Sequence, residues 1–360
     1  MLEAKQHSAA TVLRHGDNPF GVDPNADLLH AVPTDLPGWS ETMYFHCWSP
    51  DDAVGVFIHT TRWPADPDLW CAQTIALLPD GLLLVDRSWG RAIDDRGPAT
   101  GNLRITCVEP LRRWRLTFDG AGAACDLARM GRGTVGAGPA QAFTFDVELV
   151  AAAPVWDMHG ALGFEQPEIT ELSWASFHHT QGFRSTGALS SQGQSWSLTG
   201  VAHRDHSSGP RDVSGLGGLQ FFVAVFPDSG RVVNGMVNWG RDGSVDHRVF
   251  TVQEGGACET GTGTRVTGLV DYHTHDPHQI AITLGRSDGD YRLEAKRLHG
   301  YTLTYLEPNE NINGVCLDTQ PDALIITQST VRVTAPDGEI GYGVVERDYR
   351  PSMLPSPEER

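Results

Sequence analysis

No stretch of the 360 residues approaches the roughly 18 consecutive apolar positions that a membrane-crossing helix needs, so no span is expected. The first residues, Met1 to Arg14, are polar and contain no apolar segment of the secretory kind, so no leader is expected either. Paired CxxC cysteines are missing as well. The six cysteines, Cys47, Cys71, Cys107, Cys125, Cys258 and Cys316, are scattered, which in a chain of this length reads as reduced thiols in a cytoplasmic protein. Basic residues are few: 27 Lys and Arg against 45 Asp and Glu give a formal net charge of -18. Such a surface repels phosphate backbones and anionic lipid, which excludes nucleic acid as an expected partner. No GxSxG elbow occurs, and neither Gly255-Gly256 nor Gly261-Thr262-Gly263 has the strand–GxGxxG–helix setting of a nucleotide loop.

Long amphipathic helices are also missing. In their place are 40 glycines and 22 prolines interleaved with short apolar runs. Met43 to Trp48 and Ala53 to Thr61 are rich in aromatic and β-branched residues, with the turn Ser49-Pro50-Asp51-Asp52 between them. Leu69 to Leu78 and Leu82 to Asp86 flank Pro79-Asp80-Gly81 as a second hairpin. The pattern continues through Tyr291 to Leu298, Tyr301 to Tyr305 and Gly341 to Arg347. Ala323 to Val331 is the best helical candidate, though its β-branched content fits a strand equally. This spacing predicts an all-β protein of two β-barrels or curled sheets packed side by side, since closure removes exposed edges. The boundary is expected within Ala151 to Gln166, which divides the chain into 1–160 and 161–360.

The densest group of ionisable residues is Arg204-Asp205-His206-Ser207-Ser208-Gly209-Pro210-Arg211-Asp212. It follows a run in which Trp196, Leu198, Gly200 and Ala202 alternate with Ser195, Ser197, Thr199 and Val201. Extending that alternation puts Arg204 and His206 on the apolar face and Asp205 on the opposite one. On this reading Arg204 and His206 face a cavity, and a direct Asp205–His206 pair would need a bulge. Buried charges must be paired, Arg forks onto carboxylates, and His titrates near neutrality, so the group suits acid–base work. A solvated turn with local Arg–Asp pairs is the plainer alternative.

With its spaced glycines Gly182, Gly187, Gly193 and Gly200, this segment resembles the signature of the carotenoid 1,2-hydratase (hydroxyneurosporene synthase)-like superfamily, which includes AttH-like proteins and fungal Diels–Alderases. Trp39-Ser40-Glu41-Thr42-Met43-Tyr44-Phe45, Leu77 to Gly81 and Gly341 to Arg347 extend the likeness over nearly the whole chain. The resemblance implies two lipocalin-like barrels, the second carrying the motif, and redox-neutral chemistry with no organic cofactor. It implies hydratase or hydro-lyase action on a hydrophobic alkenyl molecule, isoprenoid, steroid or aromatic. Asp205 and His206 would be acid and base, Arg204 and Arg211 would orient or polarise, and Asp212 completes the catalytic set. Glu346 would pair with one arginine; Trp39, Tyr44 and Trp239 would face the substrate, as would Glu41, His178 and His179. The family usually places Trp where Ser208 stands and often an aromatic residue where Val213 stands.

Two rivals are redox-neutral isomerisation or cyclisation in the same cavity, and a non-catalytic carrier of lipophiles. The expected partner is a small hydrophobic molecule, with a homodimer open. His273, His275 and His278 have ligand-like spacing, but Asp276-Pro277 turns the chain and no fourth ligand is evident, so no metal is expected.

Overall fold

The computed structural model describes residues 11–36, 38–133, 138–165, 174–270 and 277–353. Strands dominate, as expected, and they form two large antiparallel sheets. Among the described residues no helix is long and apolar enough to cross a membrane.

In the first sheet the strands Ser40–Ser49, Val54–Trp63, Asp66–Leu77, Leu82–Arg91, Arg113–Asp126, Ala140–Ala151, Phe177–Ser191 and Gly200–Gly209 pair in a ring. Gly200–Gly209 pairs back onto Ser40–Ser49, and Ala140–Ala151 joins Arg113–Asp126 to Phe177–Ser191. The ring is therefore a closed, lipocalin-like barrel. In the second sheet the order is Thr11–His15, Ala257–Gly261, Val245–Glu254, Val232–Gly240, Leu216–Val225, Ile340–Tyr349, Leu324–Thr334, Gly289–Leu306, Pro277–Arg286, Thr264–Val270. Its two ends are not hydrogen-bonded to each other among the described residues.

Pairing does not follow the expected division at 160. The strands Phe177–Ser191 and Gly200–Gly209 complete the first barrel, while Thr11–His15 adds an edge to the second sheet. The sheets change over between Gly209 and Leu216, so the motif strand belongs to the first barrel and not to the second sheet. The reason is side-chain fit: Phe183 and Ala202 fill the interior that Phe45, Trp114, Phe145 and Leu149 leave open. Of the spaced glycines, Gly187 permits this closure and Gly182 permits the second sheet to pack on it. A Cβ at Gly187 would lie 2.2 Å from the Asp146 carbonyl oxygen of the closing strand, and one at Gly182 would meet Val232 of the second sheet at 2.9 Å.

Three cores result. One fills the first barrel; a second, with Phe222, Phe226, Phe250 and Leu293, lies inside the second sheet. The third lies between the sheets and joins Tyr44, Phe57 and Val201 to Leu219, Phe221, Val223 and Tyr301. Leu216–Val225 is thus buried on both faces, which is why its sequence is apolar throughout except for Gln220. Leu324–Thr334 is a strand, settling the ambiguity of Ala323 to Val331. Gly289–Leu306 is one strand with an irregularity between Arg297 and His299, where two strands were expected.

Candidate functional site

The alternation read along the motif strand is present, but its two faces have exchanged roles. Arg204 and His206 point into the closed interior of the first barrel, and Asp205 points out of it, into the space between the sheets.

Inside the barrel, Arg204 pairs with Asp27 and its guanidinium stacks 5.0 Å from the Trp114 ring. Asp27 also accepts from the Leu111 backbone N–H at 2.6 Å. Glu41 accepts from His206 Nε2 and Arg62 Nε, both at 2.8 Å, and from the His30 N–H at 2.9 Å. Burial opposes the Glu41 charge, yet these partners hold the carboxyl below its ordinary range. His206 is pushed down by burial against the pull of Glu41. Ligand atoms of His30, Glu41 and His206 lie within 4.8 Å of one another, a spacing a metal ion could use. The surroundings argue otherwise, because Arg62 already neutralises Glu41 and a second guanidinium, Arg204, adds positive charge near His206 that repels a cation. His179 also lies on this side; burial, with Arg204 nearby, lowers it to about 2. Trp39 is likewise away from the cavity, packed under the Arg62 guanidinium at 5.7 Å.

The cavity between the sheets has a volume of about 160 Å³. Leu216, Leu219, Phe221, Met236, Leu303 and Ile326 form its apolar wall. Asp205 and His178 form one polar group on the first barrel. His178 stands beside Ser207 in the neighbouring strand, and its Nε2 donates to Asp205 Oδ2. Thr180 donates to the same oxygen at 3.1 Å. Burial would raise the Asp205 carboxyl, but His178, with the hydrogen bond of Thr180, outweighs it and holds Asp205 low. His178 Nδ1 has no partner, and the Trp174 ring meets the imidazole edge-on at 5.4 Å.

Facing this group, Glu346 and Asp348 project from the second-sheet strand Ile340–Tyr349 into the same cavity. Burial and then the Asp205 charge raise Glu346 to about 8. Asp348 is raised well above its ordinary value by burial and by Glu346, with which it shares a hydrogen bond. Two carboxyls this close cannot both ionise cheaply, so at neutral pH the pair retains a proton. Gln328 Nε2 donates to Glu346 Oε2, and Tyr44 OH donates to Gln328 Oε1 at 3.2 Å. The expected Glu346–arginine pair is therefore replaced by an amide and a second acid. His59 and His203 also border this face; burial holds both low, at about 4 and about 3.

Of the residues singled out from sequence, Asp205, Arg211, Tyr44, His178 and Glu346 meet at the cavity. Asp212 is exposed and caps the local turn through Ser214, so it lies outside. Trp239 lies outside as well, under the Arg347 guanidinium at 5.3 Å. His59, Gln328, Asp348 and the ring of Tyr305 were missed. Asp348 had a signal, since it sits two residues from Glu346 on the same strand face. Ser208 faces His30 at 3.0 Å inside the barrel, so its departure from the superfamily pattern leaves the cavity untouched. Val213 does line the cavity and enlarges it where a ring is usual. His273 and His275 lie outside the described residues, as does the side chain of His278.

The fold and cavity define a lipocalin-like all-β protein with a polar site between its two sheets. A family described as a domain of unknown function, DUF7064, matches residues 23–349, and the chain belongs to that family. No curated protein matches it in sequence. Crystal structures of similar fold include an AttH protein assigned in Nitrosomonas europaea, 14% identical over 88% of this chain and 94% of that one, with a TM-score of 0.57. CghA is 11% identical over 94% and 97%, with a TM-score of 0.50. Kievitone hydratase from Nectria haematococca is 12% identical over 93% and 97%, also at 0.50. At these identities the likeness is one of fold, and at that level the resemblance drawn from the motif stands.

Proposed function

We propose that the protein is a cofactor-independent hydratase or hydro-lyase for a hydrophobic alkenyl small molecule, with its chemistry between the sheets. The observation that carries this reading is a carboxyl pair holding a proton, Glu346 and Asp348, opposite the Asp205 carboxylate and the His178 imidazole that donates to it, in an apolar-walled cavity. Kievitone hydratase shares the fold, which is compatible with the reading and adds nothing about this site.

In the hydration direction the protonated Glu346 gives its proton to one alkene carbon, and the adjacent carbon becomes a cation. Water adds to that carbon, and His178 Nδ1 takes the released proton while Nε2–H stays on Asp205. A proton gained and a proton lost balance, and solvent resets both groups. Asp205 is thus the orienting anion rather than the acid, and His178 takes the role first expected of His206. Tyr44 and Gln328 hold Glu346 in place. Apolar walls keep other water away from the cation.

The test uses alkenyl phenols, isoprenoids and alkenyl acids in heavy-oxygen water. Hydrated product carrying the solvent isotope is expected, and His178→Ala and Asp205→Asn each lower turnover by about 10²-fold, the lower end of acid–base contributions. Product without solvent oxygen would move the assignment to an isomerase or cyclase. Unchanged turnover in both variants sinks the roles given to these residues.

A further inference from the structure

One cation on the cavity wall has no task in the acid–base reading. Arg211 follows Gly209-Pro210 and has a φ of 60°, a left-handed conformation that a side chain-bearing residue keeps only where its surroundings enforce it. Its Nη2 donates to the Ser207 carbonyl oxygen at 2.7 Å and to Ser207 Oγ at 3.1 Å; its Nη1 donates to the Trp174 carbonyl oxygen at 3.2 Å. All three acceptors are neutral. A guanidinium has five N–H donors, and Nε has no partner, so donors remain over. The acids of the cavity are already engaged: Asp205 with His178 and Thr180, Glu346 with Gln328 and Asp348. Burial lowers Arg211 only to about 10, so it stays charged at neutral pH, and its charge helps to keep His59 neutral. A charge removed from water without a close counter-ion is costly, which makes the site receptive to an anion.

We infer that Arg211 anchors an acidic oxygen of the substrate, a carboxylate or an ionised enol or phenol, and so narrows the substrate class to hydrophobic acids. Ser207 assists, because its hydroxyl oxygen accepts from Arg211 and leaves its own proton for the same ligand oxygen. Ser207 and Asp205 lie two residues apart on one strand face, so the anchored oxygen sits about 7 Å along the strand from Asp205. The Asp205 carboxylate repels an anion, which directs the acidic end to Arg211 and the neutral alkene toward the protonated carboxyl pair. This inference rests on reading the inter-sheet cavity as the substrate site.

Calorimetric titration of the full chain with 4-isopropenylbenzoate and its methyl ester, and with 4-nitrophenol above its pKa and 4-nitroanisole, tests it without turnover. The carboxylate is expected to bind at least tenfold more tightly than the ester. In Arg211→Met that ratio falls toward one while ester affinity holds, and Arg211→Lys keeps part of the preference. A matching preference for the nitrophenolate extends the class to any acidic oxygen; its absence confines it to carboxylic acids. A carboxylate no tighter than its ester, or a ratio unchanged in folded Arg211→Met, overturns the inference. Where Arg211→Met fails to fold, the wild-type ratio decides. A hydratase of neutral alkenes would lack the acid preference yet still lose turnover in Glu346→Gln, so the two failures are distinguishable.

Discussion

Glu346→Gln lowers turnover by about 10²–10⁴-fold, the range of a lost general acid, and leaves ligand affinity little changed. The amide keeps the size of the side chain and the contact with Gln328 but has no acidic proton to give. The pH profile is the sharper readout. Burial and the Asp205 charge raise Glu346 from 4.5 to about 8, so the acid form persists through neutrality and activity falls as pH rises through about 8. Stability carries the same sign. In the unfolded chain the group ionises near 4.5, so the folded state binds more protons between 4.5 and 8. Its stabilising contribution is complete below 4.5 and is lost as pH approaches 8. Glu346→Gln removes that slope, so the variant melts above the wild type in alkaline buffer. Turnover and thermal melting across this pH window check both statements, and an activity that rises past pH 8 excludes Glu346 as the acid.

Asp27→Ala destabilises the fold by about 3–5 kcal/mol, because it strands the Arg204 guanidinium inside the first barrel. It also leaves the Leu111 N–H without its acceptor. Replacing both charges together, as Asp27→Leu with Arg204→Met, costs far less, since two apolar chains of similar volume remove the desolvation penalty along with the attraction. Activity per folded molecule is retained in that double variant, because neither side chain reaches the cavity. Denaturant titration and turnover on the folded fraction separate these outcomes. A double variant that folds and is inactive would return Arg204 to the catalytic group.

The contrast between these two variants shows where sequence reasoning succeeds. Period-two alternation along Gln194 to Gly209 separates Arg204 and His206 from Asp205, and that separation is what the structure contains. The apolar company of Ala202 made the Arg204 face look like the cavity. In a barrel whose outer wall is covered by a second sheet, both faces are buried, and apolar neighbours mark neither one. Val201, on the Asp205 side, is as buried as Ala202. The strand assignment beyond residue 160 differs from expectation for a related reason. Strands Phe177–Ser191 and Gly200–Gly209 have the same local pattern whichever sheet they join, and only the fit of Phe183 and Ala202 into the barrel interior assigns them.

The resemblance put Tyr44, His178 and Glu346 among the candidates, while local chemistry in the sequence determined the all-β class, most of the strands and the charged motif with Asp205 and Arg211. Those conclusions depend on residue type and on spacing along one strand, which the chain carries in itself. Tertiary structure alone decided that the cavity lies between the sheets, that His178 and not His206 partners Asp205, and that Glu346 stands with Asp348 opposite them. Register across strands and the stacking of one sheet on another are set by side-chain packing between segments that lie from 27 to 284 residues apart. No local pattern records that.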